Sequence, residues 1–221
     1  MVYARDEIVA LAEVLVKYPD TWIITDDIYN RMLFDGLEYA NFVQVRPELR
    51  DRVIFIDSLS KTYGMPGWRV GWMIAPVDVA KAASKLQGHM TSNVNNISQR
   101  AAIEAVSGSL DAVYEMRAAF DKRRQTIVAA LNDIEGVNCP TPTGAFYAFA
   151  DVTALLNKPL GTNKTTFANT SELAAALLDE GHVAAVPGEA FGAPGYLRFS
   201  YALADDDLVE GMRRMKRWVE D

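Results

Sequence analysis

Ser58-Leu59-Ser60-Lys61-Thr62-Tyr63-Gly64-Met65-Pro66-Gly67-Trp68-Arg69-Val70-Gly71 lies between two apolar runs, Val53-Ile54-Phe55-Ile56-Asp57 before it and Val70-Gly71-Trp72-Met73-Ile74 at its end. Short runs rich in β-branched and aromatic residues, bounded by polar residues or Pro76, predict buried strands. A lysine between two such strands, flanked by hydroxyls, glycines and an arginine, puts an amine beside an anion cradle at the strand ends. That is where α/β sheets bind ligands. An amine that is desolvated near another cation loses proton affinity and can condense with a carbonyl. Taken alone, the lysine reads first as a surface residue in a glycine-rich turn.

Upstream, Ile8, Leu11, Ala12 and Leu15 recur at helical spacing and predict an amphipathic helix close to Met1. Pro19 follows, and then Trp22-Ile23-Ile24-Thr25-Asp26 reads as a third buried strand. Three apolar strands among helices predict an α/β fold with a mixed, mostly parallel sheet and helices on both faces. Downstream, helices are expected over Val77 to Leu86 and Ile97 to Val106. A long connector helix is expected from Ala112 to Ile134, stopped by Gly136. Beyond it come a strand over Gly144 to Phe149, a polar surface loop over Asn157 to Thr166, and a helix capped by Asn169 with Glu172. Strands over Val183 to Val186 and Tyr196 to Tyr201 lead to a last helix opening on Asp205-Asp206-Asp207, with Leu208, Met212 and Met215 on one face. The expected division is 1–115 and 116–221, the second part a small α+β domain.

The 221 residues are 50% hydrophobic and 23% charged, with a formal net charge of −7. Such a chain can bury a core without staples, and its acidic balance argues against nucleic acid, which needs clustered Lys and Arg. No apolar run reaches membrane-spanning length and no leader pattern follows Met1, so a cytoplasmic protein is expected, its sequons at Asn96, Asn163 and Asn169 unused. His89 and His182 stand apart from metal-ligand spacing, and no metal site is expected. Cys139 reads as a packed thiol, and Lys122, Arg123 and Arg124 read as a solvated helix face.

Ser58-x-Ser60-Lys61 followed by Gly67-Trp68-Arg69-x-Gly71 resembles the signature of class I and II aminotransferases, pyridoxal-phosphate enzymes of fold type I. The resemblance implies that Lys61 forms the Schiff base with pyridoxal 5'-phosphate and that Ser58 and Arg69 bind its phosphate, with help from Ser60. Asp26-Asp27-Ile28-Tyr29 is similar to the family's Asp-x-x-Tyr, which assigns Asp26 to the pyridine nitrogen and Tyr29 to the phenolic oxygen. For Asp27 a solvated or helix-capping carboxylate is expected. Arg198, interrupting the apolar strand Tyr196-Leu197-Arg198-Phe199-Ser200, is similar to the family arginine that grips the substrate carboxylate; from the strand alone, an ion pair with a nearby Asp or Glu is the competing reading. Thr143 to Tyr147 and Val186 to Gly192 look like small-domain segments at the family's substrate entrance.

The resemblance implies transfer of an amino group from an L-amino acid to a 2-keto acid by a homodimer. It matches the C-terminal part of the family pattern: Met1 to Glu7 looks like the segment directly after an Asn-Pro-x-x-Pro-Thr-Gly motif, and the phosphate loop, ring-stacking aromatic and oxygen-binding asparagine are not found. The expectation is therefore an N-terminally truncated aminotransferase. Alternatives are another fold-type I enzyme, a C–S lyase or decarboxylase, or a non-catalytic remnant.

Overall fold

The computed structural model describes residues 2–220. Its chain divides into two compact units, Met1–Arg117 and Ala118–Asp221.

The first unit begins with α1, Arg5–Val16, which buries Ile8 and Ala12. No basic residue stands in its last turn. Its C-terminal carbonyls are instead served by Arg52, which donates to Leu15 O at 2.6 Å and to Tyr18 O and Thr21 O at 2.8 Å. β1, Ile23–Asp26, pairs in parallel with β2, Val53–Ser58, and β2 pairs antiparallel with β3, Gly71–Ile74. Between β1 and β2 runs α2, Phe42–Val45, capped by Asn41. Ala12, Ile23, Leu49 and Val53 form the core, with Leu15, Phe42, Val43 and Val45 packed against it.

The sheet is mixed, with one parallel and one antiparallel pairing. Its strands are less covered than apolar composition predicts: Ile24 is 67% exposed, Ile74 65% and Trp22 50%. The core cluster covers the Ile23 face, while Ile24 and Ile74 meet solvent. From the tight turn after β2 comes α3, Leu59–Thr62, and after β3 follow α4, Val77–Met90, and α5, Asn96–Ser107, close to the expected spans.

Helix α6, Asp111–Asn132, leads into the second unit, where Phe120 stacks on Phe146 with centroids 5.2 Å apart. β4, Tyr147–Asp151, pairs with β8, Tyr196–Ser200, which also pairs with the short β7, Val186–Pro187. Alternation is clean here: Ala148, Ala150, Leu197 and Phe199 are buried, while Tyr147, Phe149, Tyr196 and Arg198 occupy the other face. α7, Thr170–Asp179, opens on Asn169, whose side chain accepts from Glu172 N at 2.9 Å. α8, Asp205–Glu220, buries Leu208, Met212, Met215 and Trp218.

Three local expectations are corrected. The polar stretch Asn157 to Thr166 contains a small hairpin, β5 Pro159–Leu160 against β6 Thr165–Thr166, in which Gly161 takes the left-handed conformation (φ 70°). The strand expected from Val183 begins only at Val186, because His182 is left-handed at φ 53° and turns the chain out of the sheet. Arg124 is not on a solvated face but 3% exposed, donating to Pro142 O at 2.9 Å and paired with Asp121 at 2.7 Å. Lys122 does face outward, while Arg123 is half-buried against Phe120, and both bind Asp205. Cys139 is buried, and desolvation pushes its thiol up to about 11.

Candidate functional site

Register places the cofactor candidates of the first unit. Asp26 is the Cα partner of Ile56 across the parallel pair, and Gly71 is the partner of Ser58 across the antiparallel pair. Ser58 therefore stands about 7 Å past the level of Asp26 along the sheet, at about 3.3 Å per residue. The Lys61 turn starts there, and Arg69 returns two residues before Gly71. A Cβ on Gly71 would come within 3.2 Å of Asp57 O and 3.3 Å of Ser58 Cβ, a tight approach that the glycine relieves.

Ser58 is the N-cap of α3, its Oγ accepting from Ser60 N at 3.1 Å. Its hydroxyl proton stays available to an anion. Leu59 anchors the turn, fully buried, and its N–H donates to Val70 O at 3.1 Å. Lys61 sits half-buried in the last turn of α3. Arg69 is exposed and left-handed at φ 53°, with Nη1 donating to Pro66 O at 3.0 Å. That backbone is unusual for a non-glycine residue.

The two aspartates after β1 diverge. Asp26 is exposed, and among the described residues its carboxylate has no hydrogen-bond partner. Asp27 is partly buried and accepts from Thr25 Oγ1 at 2.9 Å, which corrects the expectation of a solvated or capping carboxylate. Desolvation raises the Asp27 carboxyl above the ordinary range, hydrogen bonds from Tyr39 and Thr25 oppose this, and the charge of Asp26 adds to it. The Tyr39 hydroxyl is buried, and desolvation, then Asp27 beside it, pushes it well above its usual value.

Asp57 is the residue that the sequence reading passed over. It is 8% exposed, accepts from Ser58 N at 2.7 Å and from Asn30 Nδ2 at 2.8 Å, and so ties the turn after Tyr29 to the turn holding Lys61. Thr62 Oγ1 adds a long contact of 3.5 Å to Ile28 O between the same two turns. Burial raises the Asp57 carboxyl, against the bonds from Ser58 and Asn30. An aspartate ending an apolar run was the available signal.

Arg198 belongs to the second unit, on the solvent-side face of β8. Its guanidinium carbon lies 4.5 Å from the ring centroid of Tyr147 and 4.5 Å from that of Phe191. Among the described residues it has no carboxylate partner, so the structural ion pair weighed from sequence is replaced by an aromatic sandwich. Two aromatic rings thus lie against the cation, and its N–H groups have no carboxylate among the described residues.

The donor set fits pyridoxal 5'-phosphate: hydroxyls and a guanidinium suit a phosphate, an unpartnered carboxylate suits a ring nitrogen, and an amine suits an aldehyde. Among the described residues no group of His, Cys, Asp and Glu could hold a metal ion, and no helix is long and apolar enough to cross a membrane.

Comparison with known proteins gives the chain's likenesses. The family model described as aminotransferase class I and II matches residues 1–215. The chain is 51% identical over 220 residues to an aspartate aminotransferase of Streptomyces avermitilis, covering 100% of this chain and 53% of the relative. It is 40% identical over 215 residues to an aspartate/prephenate aminotransferase of Cereibacter sphaeroides, covering 97% and 53%. Among solved structures, the aspartate aminotransferase from Rhizobium meliloti superposes with a TM-score of 0.94 at 34% identity, over 98% of this chain and 54% of that one. An aromatic aminotransferase from Pyrococcus horikoshii superposes at 0.85 with 31% identity, over 98% and 55%. The chain spans about half the length of the curated relatives it matches.

Proposed function

The chain belongs to the class I and II aminotransferases, and from that premise we propose that it carries the lysine-bearing part of a pyridoxal-phosphate-dependent aminotransferase that transfers an amino group from an L-amino acid to a 2-keto acid. The observation carrying this reading is the placement of Lys61 in the turn directly after β2, with Ser58 capping that turn and an unpartnered Asp26 on the parallel neighbour. When bound, the cofactor supplies an aldehyde for the amine and a cationic ring that draws electrons from the substrate.

The chain's own residues do the rest. Ser58, Ser60 and Arg69 hold the phosphate through hydroxyl and guanidinium donors. Asp26 pairs with the ring nitrogen and keeps it protonated, and Tyr29 donates to the ring oxygen. Lys61 would hold the cofactor's aldehyde through its Nζ, and that amine, when free, would take the proton from the substrate Cα as general base and deliver a proton to the cofactor side as general acid. Arg198 binds the substrate α-carboxylate in bidentate fashion and so orients the Cα–H bond. The names of the relatives favour aspartate as donor. Apolar side chains left open on α4 and α5, among them Met90 at 73% and Ile97 at 72% exposed, support assembly as a homodimer. With one cysteine and therefore no internal disulfide, the protein suits the cytoplasm.

The test is to add pyridoxal 5'-phosphate, reduce with borohydride and map the modified peptide. A single adduct on Lys61, lost in Lys61→Ala, is expected. An adduct spread over surface lysines, or unchanged in Lys61→Ala, would sink the reading. Keto-acid formation from aspartate with 2-oxoglutarate, rather than release of ammonia or carbon dioxide, then separates transfer from lyase or decarboxylase chemistry.

A further inference from the structure

The guanidinium of Arg198 is held by parts that neither the motif nor the strand pattern assigns. Phe191 ends a 3-10 turn, Gly188–Phe191, between β7 and β8. That turn is fixed from both ends. At Gly188 a Cβ would stand 2.0 Å from Ala193 O and 2.8 Å from Tyr196 O, so the backbone folds onto itself there with no room for any other residue. At Glu189 the carboxylate reaches the start of α7, accepting from Thr170 N at 3.0 Å and from Thr170 Oγ1. Thr170 is fully buried, and a carboxylate there satisfies helix N–H donors while meeting the positive end of the dipole. The bonds from Thr170 hold the Glu189 carboxyl below its ordinary value.

We propose that Phe191, set in place by the Glu189–Thr170 latch, and Tyr147 are positioning residues that fix the guanidinium plane of Arg198 and present only its edge to a carboxylate. The inference rests on the reading of Arg198 as the carboxylate-binding residue and extends it to Phe191, Tyr147, Glu189 and Thr170. An arginine side chain ordinarily gives up considerable rotamer freedom when it engages a ligand. One held against two rings, each centroid 4.5 Å from its guanidinium carbon, has given up much of it beforehand. Phe149, opposite Arg198 in the ladder, backs the arrangement: its ring lies edge-on to Phe191 at 6.0 Å and stacks on Tyr196 at 5.0 Å.

The experiment follows the Arg198 Nε–Hε resonance of the 221-residue chain by NMR during titration with succinate. The ring currents of Tyr147 and Phe191 shift that resonance upfield in the free protein, and succinate moves it further. Phe191→Leu, at a half-exposed position where folding is little affected, is expected to lose most of the upfield shift and to weaken succinate binding about tenfold, roughly 1.4 kcal/mol. Thr170→Val and Glu189→Gln are expected to do the same in smaller measure while leaving Phe191 intact, a response that loss of a ring alone would not produce. An unshifted resonance in the free protein, or wild-type affinity in both Phe191→Leu and Glu189→Gln, overturns the proposal. Wild-type succinate affinity in Arg198→Lys instead overturns the assignment of the arginine, and the positioning roles fall with it.

Discussion

The two units use apolar strands in opposite ways. In the second, β4 and β8 alternate strictly, so that Ala148, Ala150, Leu197 and Phe199 are sealed while Arg198 and its aromatic neighbours stand on the other face. In the first, β1 to β3 are just as apolar, yet Ile24 and Ile74 are about as exposed as surface residues. A run such as Trp22-Ile23-Ile24 announces a strand built for cover on both faces, whereas alternation announces one face for packing and one for chemistry. The contrast teaches that apolar content measures how much cover a strand is built to receive, and alternation measures where that cover lies. Function follows the same division, since the first unit presents its candidate residues at strand ends and the second presents Arg198 on a sheet face.

The largest expected effect tests that difference directly. Leu197→Ala empties a fully buried position on the central strand of the second unit and should cost about 2–5 kcal/mol of unfolding free energy. Ile74→Ala, on the open strand of the first unit, should cost about 0.5 kcal/mol or less. Urea titrations followed by tryptophan fluorescence read both, with buried Trp218 reporting the second unit. Equal losses would break the comparison. A middle-sized effect is expected at Arg124→Met, which keeps the apolar stem but leaves the Pro142 carbonyl and Asp121 without their donor, at about 1–3 kcal/mol in the same titration.

Sequence patterns reached far into both units where the signal was local. Asn169 with Glu172 marked the start of α7 because the cap and its partner lie within one turn, and the Ser58 to Gly71 stretch marked the turn between β2 and β3 because hydroxyls, glycines and flanking strands are contiguous. What escaped was long-range or very short. Arg52 serves the end of α1 from a distant part of the chain, and Arg124 is buried by a carbonyl it could not be paired with from spacing. β5 and β6 are two residues each, too short for any periodicity. Asp57 looked like the polar end of a strand, and its bond to Asn30 requires knowing that β1 and β2 are parallel neighbours. The rings on Arg198 escaped for the same reason, since Phe191 reaches it from another segment.

The smallest expected effect sharpens the comparison through pH. In the first unit Asp57 and Asp27 are raised, chiefly by desolvation, so the folded state holds their protons more tightly than the unfolded chain does. Stability from these groups is therefore present at low pH and is lost as pH rises from about 4, the unfolded value, through the raised folded value. In the second unit Asp205 is lowered, first by its hydrogen bond from Arg123 and then by that from Lys122. Its contribution is present above the unfolded value and disappears as pH falls toward the lowered folded value. Asp57→Asn retains an acceptor for Ser58 N and removes the ionisation. Its melting temperature should therefore gain on the wild type as pH climbs from about 4, then run parallel once Asp57 is fully ionised. Asp205→Asn should show the reverse trend, falling below the wild type at neutral pH and rejoining it in acid. Parallel melting curves for Asp57→Asn and wild type over the whole range would mean that Asp57 titrates as it does in the unfolded chain, and that the first unit's burial of charge at its strand ends is no different in kind from the surface pairing of the second.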